Sequence, residues 1–109
     1  MPWECTPQEV ASRRARDDEE LLLIDCRTDA ERAIASIDGA MAVPDNEVMM
    51  RLPELRKFDE RAIVVFCHHG VRSMHVAIAL REDGFQSVQS MAGGIQRWSL
   101  EVDPNTPTY

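Results

Sequence analysis

Cys67-His68-His69-Gly70-Val71-Arg72-Ser73 follows directly on the apolar run Ala62-Ile63-Val64-Val65-Phe66, and this junction decides the reading of the fold. An unbroken apolar run rich in β-branched side chains reads as a strand buried on both faces. From Arg72 to Asp83 the spacing is that of an amphipathic helix, with Val76, Ile78, Ala79 and Leu80 available to a core and Gly84 placed to stop it. The loop between them lies where a strand ends and a helix begins. Its backbone N–H groups and those of the first helical turn, capped at Ser73, converge on one spot, where the helix dipole adds positive charge and Arg72 closes over it. Positive surroundings lower a thiol pKa from its ordinary ~8.5, so a cysteine there favours its thiolate. The junction therefore predicts a sulfur nucleophile, Cys67, in an anion cradle made of His68, His69, Gly70, Val71, Arg72 and Ser73. A lone cysteine at a strand end is more often a small buried hydrophobe. The glycine and arginine at this spacing favour the reactive reading.

Outward from the junction, strands and helices alternate. Thr6-Pro7-Gln8-Glu9 has the form of a capping box with proline in the first helical position, which predicts a helix from Pro7 to about Arg16. Leu21 to Cys26 is a second continuous apolar strand. Asp29 is placed to cap a brief helix through Ile34, Gly39 to Val43 reads as a short strand ended by Pro44, and Glu47 to Phe58 carries helical spacing broken near Pro53. Phe85 to Met91 holds a last strand around Val88, and Gly93-Gly94-Ile95 leads into a helix through Trp98, a packing residue. Residues 101–109, with two prolines and no periodicity, read as an irregular strap or frayed end. Short connections between alternating elements imply an α/β fold: a central parallel sheet of about five short strands with helices on both faces. Ligands in such sheets sit at the carboxyl ends of the strands, where Cys67 falls.

At 109 residues the chain reads as a single domain, 1–109, with room for one core. The formal charge of −7, with Lys57 the sole lysine, argues against nucleic acid and anionic membranes as partners. Asp17-Asp18-Glu19-Glu20 reads as a solvated turn before a strand. No segment reaches the ~20 apolar residues of a membrane span and none has the form of a signal peptide, so a cytoplasmic location is expected. Cys5, Cys26 and Cys67 make an odd count without CxxC spacing, which fits reduced thiols better than a disulfide framework. Cys26 reads as core. Cys5 reads as exposed, with a resolving role against Cys67 as the minor alternative. Neighbouring His68 and His69, with His75 nearby, lack the usual zinc spacings, so no metal is expected. The methionines, including Met49 and Met50, read as core filler.

With these residues in view, the chain resembles the single-domain rhodanese family of sulfurtransferases over nearly its whole length. The match is carried by Leu22-Leu23-Ile24-Asp25-Cys26-Arg27 with Glu31 beyond it, by Ile37-Asp38-Gly39-Ala40 before Pro44, by the Cys67 to Ser73 loop, and by Gly93-Gly94-Ile95 with Trp98. The ending, Val102-Asp103-Pro104 with Pro107 and Tyr109, is similar to that of rhodanese domains fused behind ubiquitin-activating-type enzymes in molybdopterin and thiamin sulfur pathways. Ala35-Ser36-Ile37 stands where many members carry Gly-His-Ile, a departure that bears on local packing. Asp25 and Arg27 are implied to tie the strand end to neighbouring loops.

The resemblance implies a two-step transfer without a cofactor. Cys67 thiolate takes the outer sulfur of a small anionic donor such as thiosulfate, releasing sulfite, and passes it from a persulfide to cyanide, a thiol, a reductant protein or a sulfur carrier. Arg72 would orient the donor, and His68 and His69 would shape the loop mouth. Two rivals stand beside this reading. A cysteine phosphatase or arsenate reductase needs a loop longer by one residue than His68-His69-Gly70-Val71 to surround a tetrahedral oxyanion. A non-catalytic rhodanese-like binding module would keep the fold without turnover.

Overall fold

The computed structural model describes residues 2–16 and 20–109. Asp17 to Glu19, most of the acidic run read as a turn, lie outside the described residues, and Glu20 is exposed. In chain order the elements are β1 Glu4–Cys5, α1 Pro7–Ala15, β2 Leu22–Asp25, α2 Asp29–Ile34, β3 Met41–Ala42, α3 Leu52–Leu55, β4 Ala62–Phe66, α4 Val71–Glu82, β5 Ser87–Met91 and α5 Gly94–Glu101, with single 3-10 turns at Asp45–Glu47 and Arg56–Phe58. The strands form one parallel sheet in the order β1-β5-β4-β2-β3. The parallel α/β sheet of five short strands expected from the sequence is the architecture observed.

β4 lies at the centre because it is the most apolar strand. Ile63, Val64, Val65 and Phe66 are each at most 1% exposed, and burying each such side chain contributes roughly 1.5–3 kcal/mol. Alternation splits them between two cores. Ile63 and Val65 pack with Val76, Ala77 and Leu80 of α4, with Leu55 of α3 and with Phe85. Val64 and Phe66 pack on the other face with Val10 of α1 and with Ile95 and Trp98 of α5.

Several local expectations are corrected. Cys5 is not exposed; it lies in β1, 3% exposed, paired with Met91 of β5. Thr28, not Asp29, caps α2, its hydroxyl accepting from Glu31 N while the Glu31 carboxylate accepts from Thr28 N. Pro53 lies in the first turn of α3, where it lacks no needed donor, so it helps start a helix rather than break one. Met49 and Met50 are 60% and 75% exposed and fill no core. In α4 the core-facing set is Val76, Ala77 and Leu80, while Ile78 and Ala79 are half-buried. α5 runs past Trp98 and takes in Glu101, so the irregular tail starts after it.

Residues 103–109 form a strap. Ser99 Oγ donates to the Thr106 carbonyl, Thr106 is buried, and the Tyr109 hydroxyl reaches Arg27 and Glu31. Among the described residues no helix is long and apolar enough to cross a membrane.

The start of α5 bears directly on the Cys67 loop. Ile95 N donates to Cys67 O at 2.9 Å and Gln96 N to His68 O at 3.2 Å, so two of the helix's unpaired first-turn donors are spent on the loop. Such an approach requires glycine at position 94, where φ is +60° and a Cβ would overlap the Cys67 and His68 carbonyls. Gly94→Ala is expected to destabilise the protein by about 2 kcal/mol or more, the range for strain at a packed special conformation. Urea unfolding checks this, and a wild-type midpoint would contradict the packing described.

Candidate active site

Cys67 stands one residue beyond β4, where the sheet's last hydrogen bonds give out, and Gly70 turns the chain into α4 with φ +105°. A side chain at Gly70 would press on Gly93 N at 3.3 Å, so the two glycine turns are packed against each other. The turn brings Gly70 N to 3.1 Å and Ser73 N to 3.4 Å from Cys67 Sγ, both donating to the sulfur. Ser73 Oγ lies 3.4 Å from Sγ and 2.6 Å from Ser90 Oγ. With the sulfur ionised, the protons run from Ser90 to Ser73 and from Ser73 to the thiolate. Ser73 is therefore not the cap expected of it. Gly70 occupies that position, and the Ser73 side chain, 0% exposed, turns inward to the sulfur.

Cys67 is itself 1% exposed, and burial alone would raise its pKa. It is instead lowered, to about 4. The Cys26 thiol beside it is the largest cause, followed by the Ser73 hydroxyl and the Ser73 and Gly70 amides, which together outweigh desolvation. Cys26 is pushed in the opposite direction, first by Cys67 and then by burial. The pair thus holds one proton on Cys26 and a negative charge on Cys67. Cys5 is different: burial pushes it up to about 11.

The other predicted loop residues do not all face the sulfur. Arg72 makes a bidentate pair with Glu31 of α2, Nη1 to Oε1 at 2.6 Å and Nη2 to Oε2 at 2.8 Å, rather than standing open over the loop. Val71 is 67% exposed. His68 is stacked between His69 and Tyr109, each ring centroid 3.8 Å from its own, and its Nε2 is buried without a hydrogen bond. Arg72 also lines a cavity of about 150 Å³ with Asp45, Val48, Met49, His75, Val76 and Ala79. Among the described residues no three His, Cys, Asp or Glu side chains converge as metal ligands would.

The sequence puts Cys67 and its loop in the candidate site and leaves out Cys26, Glu31, Ser90 and Tyr109, which the fold brings beside them. Glu31 belonged to the family pattern, and its acidic type opposite Arg72 was the available signal. Its carboxyl is held well below the usual range by the Arg72 guanidinium, with further help from the Tyr109 hydroxyl, which donates at 2.8 Å, and the Thr28 N–H.

A parallel five-stranded sheet with a buried cysteine sulfur held by the amides of a strand-to-helix loop defines the class of α/β protein to which the chain belongs. The Rhodanese-like domain family model matches residues 6–101, and the chain belongs to that family. It is 34% identical over 110 residues to the thiosulfate sulfurtransferase GlpE of Haemophilus influenzae, covering 100% of both chains. It is 41% identical over 93 residues to the rhodanese-like/PpiC domain-containing protein 12, chloroplastic, of Arabidopsis thaliana, covering 84% of this chain and spanning 31% of that protein's length. The solution structure of a rhodanese-like domain from an Anabaena species superposes with a TM-score of 0.83 at 23% identity, over 100% of this chain and 81% of that one, a likeness of fold.

A carboxylate whose folded pKa is depressed contributes stability above its unfolded value of about 4.5, and that contribution is lost as the pH falls toward the folded value. Glu31→Gln should therefore cost about 1.5–3 kcal/mol at neutral pH, the range for charged hydrogen bonds. The gap from wild type should narrow steadily below pH 4.5. Denaturation midpoints across that window check the sign; a gap that widens in acid would contradict it.

Proposed function

We propose that this protein is a sulfurtransferase that carries sulfane sulfur on Cys67. The observation that supports the reading best is the sulfur itself: a buried Cys67 Sγ that accepts the Gly70 and Ser73 amides at the N-terminal end of α4. Because Cys67 is buried, the atom it takes must be small and terminal on its carrier, as the outer sulfur of thiosulfate or of a persulfide is. Cys67 thiolate attacks that sulfur, the S–S bond of thiosulfate breaks, and sulfite leaves with the bonding pair. The charge now rests on the outer sulfur of the Cys67 persulfide, and the remaining loop amides and the α4 dipole stabilise it as preorganised donors do for other anions. A thiol, a reductant protein or sulfur carrier, or cyanide then attacks the outer sulfur and restores the thiolate.

Arg72 and Glu31 tune which donors enter. As a bidentate pair they present little net charge, so a dianionic donor is tolerated at the mouth without the tight grip a tetrahedral oxyanion needs. The commitment of Arg72 to Glu31 also weighs against the phosphatase reading, in which the arginine must be free to hold the oxyanion. A compartment where small thiols stay reduced, as in the cytoplasm, suits this chemistry, and the proposed unit of function is the single domain 1–109.

Thiocyanate formation from thiosulfate and cyanide tests the assignment. Cys67→Ser should lower it by about a thousandfold or more, as loss of a covalent nucleophile does, and should abolish the uptake of one sulfur seen by intact mass. Full activity in that variant would refute the proposal, and no activity in the wild type would favour the binding-module reading. Arg72→Ala leaves the Glu31 carboxylate uncompensated, so KM for thiosulfate should rise by about tenfold, the order of one unscreened charge contact at a partly buried site. KM for an uncharged persulfide donor should change much less; equal changes would make Arg72 purely structural.

A further inference from the structure

Cys26 stands one residue beyond β2, as Cys67 stands one residue beyond β4. The two strands are parallel, with Asp25 in register with Phe66, and Cys26 N donates to Phe66 O at 3.1 Å. The next pair in register is therefore Cys26 with Cys67. Partners on adjacent parallel strands project to the same face, and both cysteines belong to the apolar cluster beneath α4. Strands neighbour each other at ~4.8 Å, inside the ~4.4–6.8 Å that separates the Cα atoms of a disulfide. Cys26 is 0% exposed, so no solvent-borne thiol or oxidant meets it, and Cys5 lies in the cluster on the opposite face of the sheet. The sulfur chemistry open to Cys26 runs through Cys67.

We propose that Cys26 is a resolving thiol that discharges the Cys67 persulfide as hydrosulfide and leaves a Cys26–Cys67 disulfide, an inference that rests on the persulfide-carrier reading above. Cys26 sulfur attacks Cys67 Sγ, the inner sulfur of the persulfide. The Cys26–Cys67 S–S bond forms and the bond from Cys67 Sγ to the outer sulfur breaks. The outer sulfur departs with the electron pair and takes up the Cys26 proton, leaving as HS⁻. The sulfane sulfur is reduced by two electrons and the two cysteines are oxidised by two, so no outside oxidant is needed. Attack by one sulfur on another through a mixed disulfide bond is ordinary thiol–disulfide exchange.

The resting site holds this reaction back and sulfur loading releases it. In the resting state the Cys67 negative charge sits beside Cys26 and keeps its proton on. In the persulfide the charge moves one atom outward, toward the loop amides, which frees Cys26 to act. An acceptor that arrives promptly takes the sulfane sulfur before Cys26 does. Without one, the chain turns thiosulfate into sulfite and sulfide and waits in the disulfide form for a dithiol reductant. The cysteine pair thus adds a reductive outcome to a transfer enzyme.

The test uses the full chain, reduced, freed of reductant and kept without oxygen, with thiosulfate and no acceptor. Sulfite, sulfide and intact mass are followed together. Wild type should release about one equivalent each of sulfite and sulfide per chain, and its mass should pass from the gain of one sulfur to the loss of two hydrogens. Digestion should then yield a peptide pair linked through Cys26 and Cys67. Cys26→Ala and Cys26→Ser should keep the added sulfur, with sulfide release slowed by about tenfold or more. Sulfite release with a lasting added sulfur and no sulfide from wild type would overturn this inference and leave the transferase reading standing. So would wild-type sulfide rates in both Cys26 variants. If neither variant folds, the wild-type stoichiometry and the mapped disulfide decide the matter. No sulfite and no added sulfur would overturn the transferase reading itself, and the inference with it.

Discussion

A guanidinium sealed from water has to find an acceptor for every N–H it carries, since each unmet one costs roughly 1–3 kcal/mol. Arg27 is 0% exposed and meets that demand from four directions. Asp25 takes Nε at 2.9 Å and Nη2 at 2.7 Å, the Ala35 carbonyl takes Nη2 at 2.7 Å, and the Tyr109 hydroxyl and Glu31 carbonyl take Nη1 at 3.0 and 3.4 Å. The guanidinium also lies over the Phe66 and Tyr109 rings. One side chain therefore draws the end of β2, helix α2, the turn after it and the 103–109 strap to one point. A buried ion pair adds little net stability by itself, but losing one partner leaves a bare charge that costs roughly 3–5 kcal/mol. The surrounding segments have no cheap alternative position.

That constraint is passed on to the Cys67 loop by Glu31. Its carbonyl faces Arg27, its N–H and carboxylate complete the capping box with Thr28, and the same carboxylate takes Arg72 and Tyr109. Arg72 is the second residue of α4, so fixing Arg72 fixes the first turn of the helix whose amides aim at the sulfur. From the other side, Ile95 N and Gln96 N hold the Cys67 and His68 carbonyls. The loop is clamped through its carbonyls and its arginine, and its amides are left to point inward. Donors placed in advance of the charge they serve are the main way a protein stabilises a reactive anion.

What was legible in the sequence was what depends on neighbours along the chain. The β4 run, the Thr6–Glu9 capping box and the glycine before α4 each declare themselves within a few residues, and they locate the sheet, the helices and the Cys67 loop. The β1 strand was missed because two residues carry no periodicity; it exists only through its pairing with Ser90 and Met91 of β5. Ser73 was read as a cap because serine near a helix start usually is one, whereas the glycine turn had already supplied the cap and left the hydroxyl free to face the sulfur. Met49 and Met50 look like filler by type, yet they sit in a turn beyond the short 3-10 segment, out of reach of either core. Glu31 and Tyr109 act across the fold, 41 and 37 positions from Arg72 by number, and no spacing rule joins residues so far apart.

The two buried thiols show why position, and not burial, sets reactivity here. Cys26 and Cys67 end adjacent strands, share one apolar cluster and are 0% and 1% exposed, so desolvation disfavours the thiolate at both. The backbone breaks the tie. After Cys26 the chain runs on into Arg27 and the α2 cap, and the carbonyl of Cys26 is taken by Asp45 N at 2.9 Å. After Cys67 it doubles back through Gly70, and two N–H groups that would otherwise lack partners at a helix start are turned onto the sulfur. The coupling of the two thiols therefore pulls the Cys67 pKa down and pushes the Cys26 pKa up. A thiol pushed up at the first position and one pulled down at the second are thus consequences of the same sheet register, separated only by the turn that follows each.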